Sequence, residues 1–213
     1  MREVFQQELR EVKDRLVEIA ELVEIAISKA TEAFGSSDVA LAEQVIDESE
    51  QVEELAQRLD ELTIDILARQ QPVASDLRLM VGSLRMSAVL VRMGDLAEHI
   101  AQLARYRYPE SAIPKGLRKT FARMGETDVL MASKLVALLR EPSYELLEEL
   151  RNLDDTLDEL HAKVFEKVLS DKLNADAGGV VDATLASRYH ERFGDHVVEI
   201  TKQINFFLSG AAQ

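Results

Sequence analysis

The sequence predicts an all-α fold of two tandem three-helix bundles, six long antiparallel helices in all. Three observations predict it. The apolar residues recur at steps of three and four throughout, with no alternating strand pattern anywhere in the 213 residues. The four prolines, Pro72, Pro109, Pro114 and Pro142, fall between these apolar series. A motif, Arg92-Met93-Gly94-Asp95, returns as Arg192-Phe193-Gly194-Asp195, an internal repeat of about 100 residues. Both copies lie inside helical periodicity, where a glycine costs about 1 kcal/mol relative to alanine. Two such glycines at matching places imply close packing on a neighbouring helix, or approach to something bound.

The first helix carries Phe5, Leu9, Val12, Leu16, Ile19, Val23, Ala26, Ala30 and Ala33, a coiled-coil-like seam that Gly35 is expected to end. Ser36-Ser37-Asp38 supplies the cap of the second, which carries Val45, Val52, Leu59, Leu62 and Ile66 and stops at Gln71-Pro72. The third starts at Ser75 or Asp76 and runs through Leu84, Leu90, Ala97 and Ile100 to about Tyr106. Pro109 and Pro114 separate the halves, placing one bundle at 1–108 and the other at 115–213. The fourth helix uses Leu117, Phe121, Met124, Met131, Leu135 and Leu138. The fifth is capped by Ser143 and carries Leu146, Leu150, Leu153, Leu157, Leu160 and Val164. A polar loop from Asp171 to Gly179 precedes the sixth, on Leu185, Val197, Ile200, Ile204 and Phe207. Tyr106, Tyr108 and Phe206-Phe207 near the helix ends read as packing residues.

The chain holds 39 acidic and 25 basic residues, a net charge of −14, so its overall field repels nucleic acid and anionic headgroups. Without cysteine there are no disulfides or thiolate ligands, and any metal is bound through oxygen, histidine or water. The amino-terminal stretch has no continuous apolar core of a secretory signal and no run is long enough to span a bilayer, so the expected location is cytoplasmic. No phosphate loop, nucleophile elbow or zinc-protease motif occurs, and the expectation is of a protein that is not an enzyme.

In an antiparallel helical hairpin, residues equidistant from the turn lie at one height. Asp154 with Asp195, and Asp158 with Glu191, share a midpoint inside the Asp171–Gly179 loop. Asp154 and Asp158 are also i,i+4 neighbours, as are Glu191 and Asp195, so four carboxylates are expected at one level. In a chain 30% charged, acidic pairs arise by chance and most are solvated faces. Matched heights and repetition favour a multivalent cation instead, with iron, manganese, magnesium, calcium or zinc as candidates. The first half offers Glu53 with Asp95 and Glu50 with His99, and Glu54 and Glu98 as further donors, but Val91 stands where the second half has Glu191. His161 reads as a surface or packing histidine, His190 and His196 flank the second cluster, and Arg92 and Arg192 neutralise neighbouring carboxylates.

These residues carry a resemblance. Gln70–Met80 (QQPVASDLRLM), Val91–Ala101, Glu191–Ile200 and Asp154–Phe165 resemble the signatures of the PhoU family of bacterial phosphate-signalling regulators across essentially the whole chain. The resemblance implies tandem three-helix bundles, often dimeric, with metal clusters on repeated E(D)xxxD motifs. Asp154 with Asp158 and Glu191 with Asp195 match that motif, whereas Val91 before Asp95 and Ser49 before Glu53 depart from it. It further implies a negative regulator of phosphate uptake and of the starvation response. Such a regulator bridges the ATPase of the phosphate ABC transporter and a phosphate-sensing histidine kinase, at the membrane through its partners and without inserting. Two other readings are a di-iron carboxylate metalloprotein, which needs paired Glu-x-x-His motifs absent here, and a spectrin-like structural array, whose continuous inter-repeat helix Pro109 and Pro114 preclude.

Overall fold

The computed structural model describes residues 2–170, 173 and 175–211. Its helices are α1 (Arg2–Ser36), α2 (Val39–Glu48), α3 (Glu50–Gln70), α4 (Ala74–Arg107), α5 (Arg118–Arg140), α6 (Tyr144–Val168) and α7 (Ala177–Ala211), with a 3-10 turn at Lys115–Leu117 leading into α5. No strand occurs among the described residues. The fold is all-α, as the periodicity requires.

Helix α1 buries Leu9, Val12, Leu16, Ile19, Val23, Ala30 and Ala33 along its predicted seam. It does not end at Gly35. The helix continues to Ser36, and Ser37 takes the left-handed conformation (φ 59°), while the Asp38 N–H bonds back to the Ala33 carbonyl at 3.0 Å. This is a Schellman-type stop with serine in the glycine position. Asp38 then accepts from the Leu41 N–H at 3.0 Å, as its predicted capping role demands.

The second predicted helix is two segments. At Ser49 the backbone bonds tighten to three-residue spacing, Ser49 N to Ile46 O and Val52 N to Ser49 O, both 3.3 Å. The Ser49 hydroxyl donates to the Ile46 carbonyl at 2.8 Å, and such back-bonding competes with the helical ladder and bends helices. Helix α4 opens at Ala74, one residue before the predicted start, with Val73 in the cap position and Asp76 in the first turn. Ser143 caps α6 as predicted, accepting from Leu146 N at 3.2 Å. Helix α7 starts inside the predicted loop because Asp176 caps it, accepting from Gly179 N at 2.7 Å. Asp171, Lys172 and Asn174 of that loop lie outside the described residues.

Helix α1 packs against α2, α3 and α4, and α5, α6 and α7 pack on one another. The halves are joined along two seams, α1 on α5 and α4 on α7, so α1, α4, α7 and α5 close into a central four-helix bundle flanked by α2–α3 and by α6. Across the first seam Phe34 meets Phe121 edge-on at 5.4 Å, and the Thr31 side chain seats on Gly125, where a Cβ would lie 3.0 Å away. Arg107 pairs with Asp182, and Arg140 with Glu21, across the two seams. One continuous apolar core results. Of the four aromatic residues read as packing, Phe207 packs, its ring over Gly82, but Tyr106, Tyr108 and Phe206 are exposed because they fall on the outer faces of α4 and α7 and the α4 terminus. No helix of the described residues is long and apolar enough to cross a membrane.

Candidate metal-binding carboxylate clusters

Gly194 explains how the second cluster comes together. A Cβ there would sit 2.7 Å from Leu157 Cδ2 and 2.9 Å from Asp154 Oδ1, so only glycine lets α6 approach closely enough to lay the Asp154 carboxylate on α7 beside Asp195. Burial pushes the Asp154 carboxyl up to about 6, with further upward push from Asp158, Asp195, Asp155 and Glu191. Asp158 is raised by burial and then by Asp195, opposed by His161. Glu191 is raised by burial and Asp195, opposed by Arg188 and His161. The four predicted carboxylates therefore feel one another on the α6–α7 face.

Their arrangement is open. Among the described residues no three His, Asp or Glu side chains converge at metal-holding geometry. Glu191 is turned aside by Arg188, whose Nη1 donates to both of its oxygens at 2.5 Å. Arg188, not the predicted Arg192, is the neutralising arginine here; Arg192 is exposed and one turn further along α7. Hard oxygen donors brought near one another by this close helix approach are the donor set a hard or borderline cation takes. Such an ion would have to draw Asp158, Asp195 and Glu191 inward.

His161 is the packing histidine that the sequence suggests, its ring edge-on to Phe165 with centroids 4.9 Å apart. Its Nδ1 lies 2.7 Å from the hydroxyl of the buried Ser187, and its charge acts on both Asp158 and Glu191, so it borders the cluster. Its spacing three residues after Asp158, and its midpoint with Ser187 in the same loop, agree with this position. His190 and His196 point elsewhere. His190 is buried on the α5 side, bonded through Nδ1 to Asp128 at 2.5 Å beside the paired rings of Phe34 and Phe121. Burial raises the Asp128 carboxyl to about 6 against the pull of His190. His196 faces Glu199 at 3.4 Å.

The first cluster is thinner. Asp95 is raised by burial, lowered by His99 and Arg92, and raised by Glu98 and Glu53, so Glu53 and Asp95 do meet at one height. Glu50 is exposed in the first turn of α3 and is not among the charges acting on Asp95. His99 stacks on Tyr189 of α7, ring centroids 5.2 Å apart. Val91 replaces Glu191, and Gln57, four residues after Glu53 and bonded to Glu61 at 3.3 Å, stands in the place of Asp158. A Cβ on Gly94 would meet Val52 Cγ1 at 3.3 Å, a looser approach than at Gly194.

A family model for the PhoU domain matches residues 16–104 and again 121–204. The "Phosphate-specific transport system accessory protein PhoU homolog 2" of Mycobacterium tuberculosis is 37% identical over 99% of both chains. The "Phosphate-specific transport system accessory protein PhoU homolog 1" of Mycobacterium leprae is 37% identical over 99% of this chain and 95% of its own. Among solved structures, PhoU from Pseudomonas aeruginosa superposes with a TM-score of 0.90 at 27% identity, covering 97% of this chain and 99% of that one. The regulatory protein PhoU of Streptococcus pneumoniae, at 21% identity and a TM-score of 0.87 over 97% of each chain, shares the fold. With both glycine–aspartate helices inside the matched segments and relatives aligned end to end, the chain belongs to the PhoU family.

Proposed function

We propose that this chain is an accessory protein of a phosphate transport system, restraining uptake and the starvation response when phosphate is plentiful. It acts in the cytoplasm without catalysis, as a dimeric adaptor of two bundles, 1–108 and 115–213. Its partners are the transporter's ATPase subunit and a phosphate-sensing histidine kinase, through which it is held at the membrane. The observation that carries the reading is end-to-end similarity to phosphate-specific transport accessory proteins, extending through both carboxylate-bearing repeats. Asp154, Asp158, Glu191 and Asp195 would hold iron, zinc, manganese or magnesium in the second repeat, with Glu53 and Asp95 as a weaker counterpart beside Glu50 and His99. A bound ion would supply charge neutralisation on a face otherwise dominated by like charges. The exposure of Asp158 and Asp195 supports an adaptor over a di-iron catalyst, whose carboxylates line a four-helix interior.

Deletion of the gene is expected to leave phosphate uptake and starvation genes active in phosphate-replete cells; unchanged uptake and expression would overturn the regulatory role. Elemental analysis of the chain purified without chelating resin or chelator checks the metal separately. A metal-free chain under every loading condition would return the carboxylates to a solvated face.

A further inference from the structure

The solvent side of the α4–α7 seam carries a charge opposite to that of the molecule. Two adjoining concavities of about 510 and 480 Å³ lie along it and share Arg85 and Gln203. Their charged lining is Arg78, Arg85, Arg92 and Lys202 against the single carboxylate of Glu199, which is occupied by His196. The chain as a whole has 25 cations to 39 anions. Arg78, Arg85 and Lys202 have no ion-pair partner among the described residues.

Between these cations the groove is apolar. Leu77, Val81 and Phe206 are 41%, 40% and 56% exposed, and the floor is the Phe207 ring lying over Gly82. Leu77, Val81, Arg85, Ala88 and Arg92 follow one another at steps of four and three on the exposed side of α4. At 1.5 Å per residue this stripe is about 22 Å long, the length of about four helical turns.

We infer that this groove is a docking surface for an amphipathic helix of a partner protein, its apolar face between Leu77, Val81 and Phe206 and its flanks rich in Asp and Glu. Helix-in-groove recognition needs apolar anchors, which Leu77, Val81 and Phe206 supply at one end of the groove, and free cations on its walls select acidic flanks. A bilayer is flat and meets the repulsive field of a chain at −14. A second copy docked here about a two-fold axis would set the cationic patch of Arg78, Arg85 and Lys202 against the same patch.

The inference shares with the proposed accessory role the premise that the chain works through protein contacts; a deletion phenotype without peptide binding would leave that role standing and remove the groove. The test uses the full chain and two labelled peptides of about 16 residues. Both have the same leucine face, one flanked by glutamates and one by lysines, and vesicles of anionic lipid serve as a third probe. The acidic peptide is expected to bind at least tenfold tighter than the basic one, to weaken with salt, and to protect residues 77–92 and 199–206 from hydrogen exchange. Arg85→Glu with Lys202→Glu, and separately Val81→Asp, should each weaken it at least tenfold with unchanged helicity and melting temperature, since these side chains are exposed. Equal affinity for the two peptides, binding of neither, protection elsewhere, or indifference to both variants would overturn the assignment. So would vesicle binding or self-association that the charge reversal abolishes while no peptide binds.

Discussion

The two glycine–aspartate steps look identical in sequence and differ at the level of single atoms. Gly194 has no room for a methyl group, because Leu157 Cδ2 and Asp154 Oδ1 would stand 2.7 and 2.9 Å from it, and Asp154 is held by the rigid face of α6. Gly94 faces only the Val52 side chain, with Cγ1 at 3.3 Å and Cβ and Cγ2 at the ordinary contact distances of 3.5 and 3.6 Å. Gly194→Ala is therefore expected to destabilise the chain by about 1–3 kcal/mol through overpacking, and to weaken any metal bound by displacing Asp154. Gly94→Ala gains helix propensity worth about 1 kcal/mol against a small clash, and should fall within about 1 kcal/mol of the parent in either direction. Urea unfolding of both variants checks the contrast; equal losses would mean that the close helix approach at Gly194 does not hold in solution.

Helix boundaries were legible where a capping side chain marks them, as at Asp38 and Ser143, because the chemistry of an orphan N–H admits few residues. The break at Ser49 was not. Val45, Val52, Leu59 and Ile66 run straight through it at seven-residue steps, and only the hydroxyl bond to Ile46 O interrupts the ladder. Midpoint reasoning found the carboxylates because α3–α4 and α6–α7 are true hairpins. It missed the Asp128–His190 pair, since α5 and α7 are not consecutive and share no turn. The facing acidic rows of α6 and α7 give these two helices a pH dependence of definite sign. Asp154 is raised to about 6, and Asp158 and Glu191 are raised too, so the folded chain keeps protons that the unfolded chain has released. In chelator, stability should therefore fall as pH rises from about 4 to about 6, where the unfolded state binds fewer protons than the native. Asp154→Asn removes the largest contributor on these two helices and should make that decline shallower, the buried Asp128, also raised to about 6, keeping the remainder. Melting temperatures across the window decide it, and parallel curves for variant and parent would show that Asp154 titrates normally.

At the scale of the molecule, the repeat that predicted two bundles hides how they are joined. A one-dimensional repeat pairs helices within each half, whereas α1–α5 and α4–α7 contacts fuse the halves into one core and bring His99 of the first onto Tyr189 of the second. The fusion makes the two clusters parts of one body while leaving them chemically unequal. The second has Asp154, Asp158, Glu191 and Asp195, with His161 at its border; the first has Glu53 and Asp95, with Gln57 and Val91 in the other two places. Affinity for a hard cation grows with the number of anionic oxygens, and missing ligands are made up by water at the cost of binding strength. The double variant Asp158→Asn with Asp195→Asn is thus expected to lose most bound metal, and Glu53→Gln with Asp95→Asn to lose less. Without metal, the first double variant should also melt higher than the parent, because half of an uncompensated carboxylate cluster has been neutralised; saturating metal should restore the parent's advantage by stabilising the state it binds. Metal stoichiometry and thermal midpoint, measured for both double variants with and without added metal, test this together. Equal metal loss from the two would refute the inequality of the sites. A metal-free midpoint lower than the parent's would mean that the four carboxylates hold the helices together by some interaction other than a bound ion.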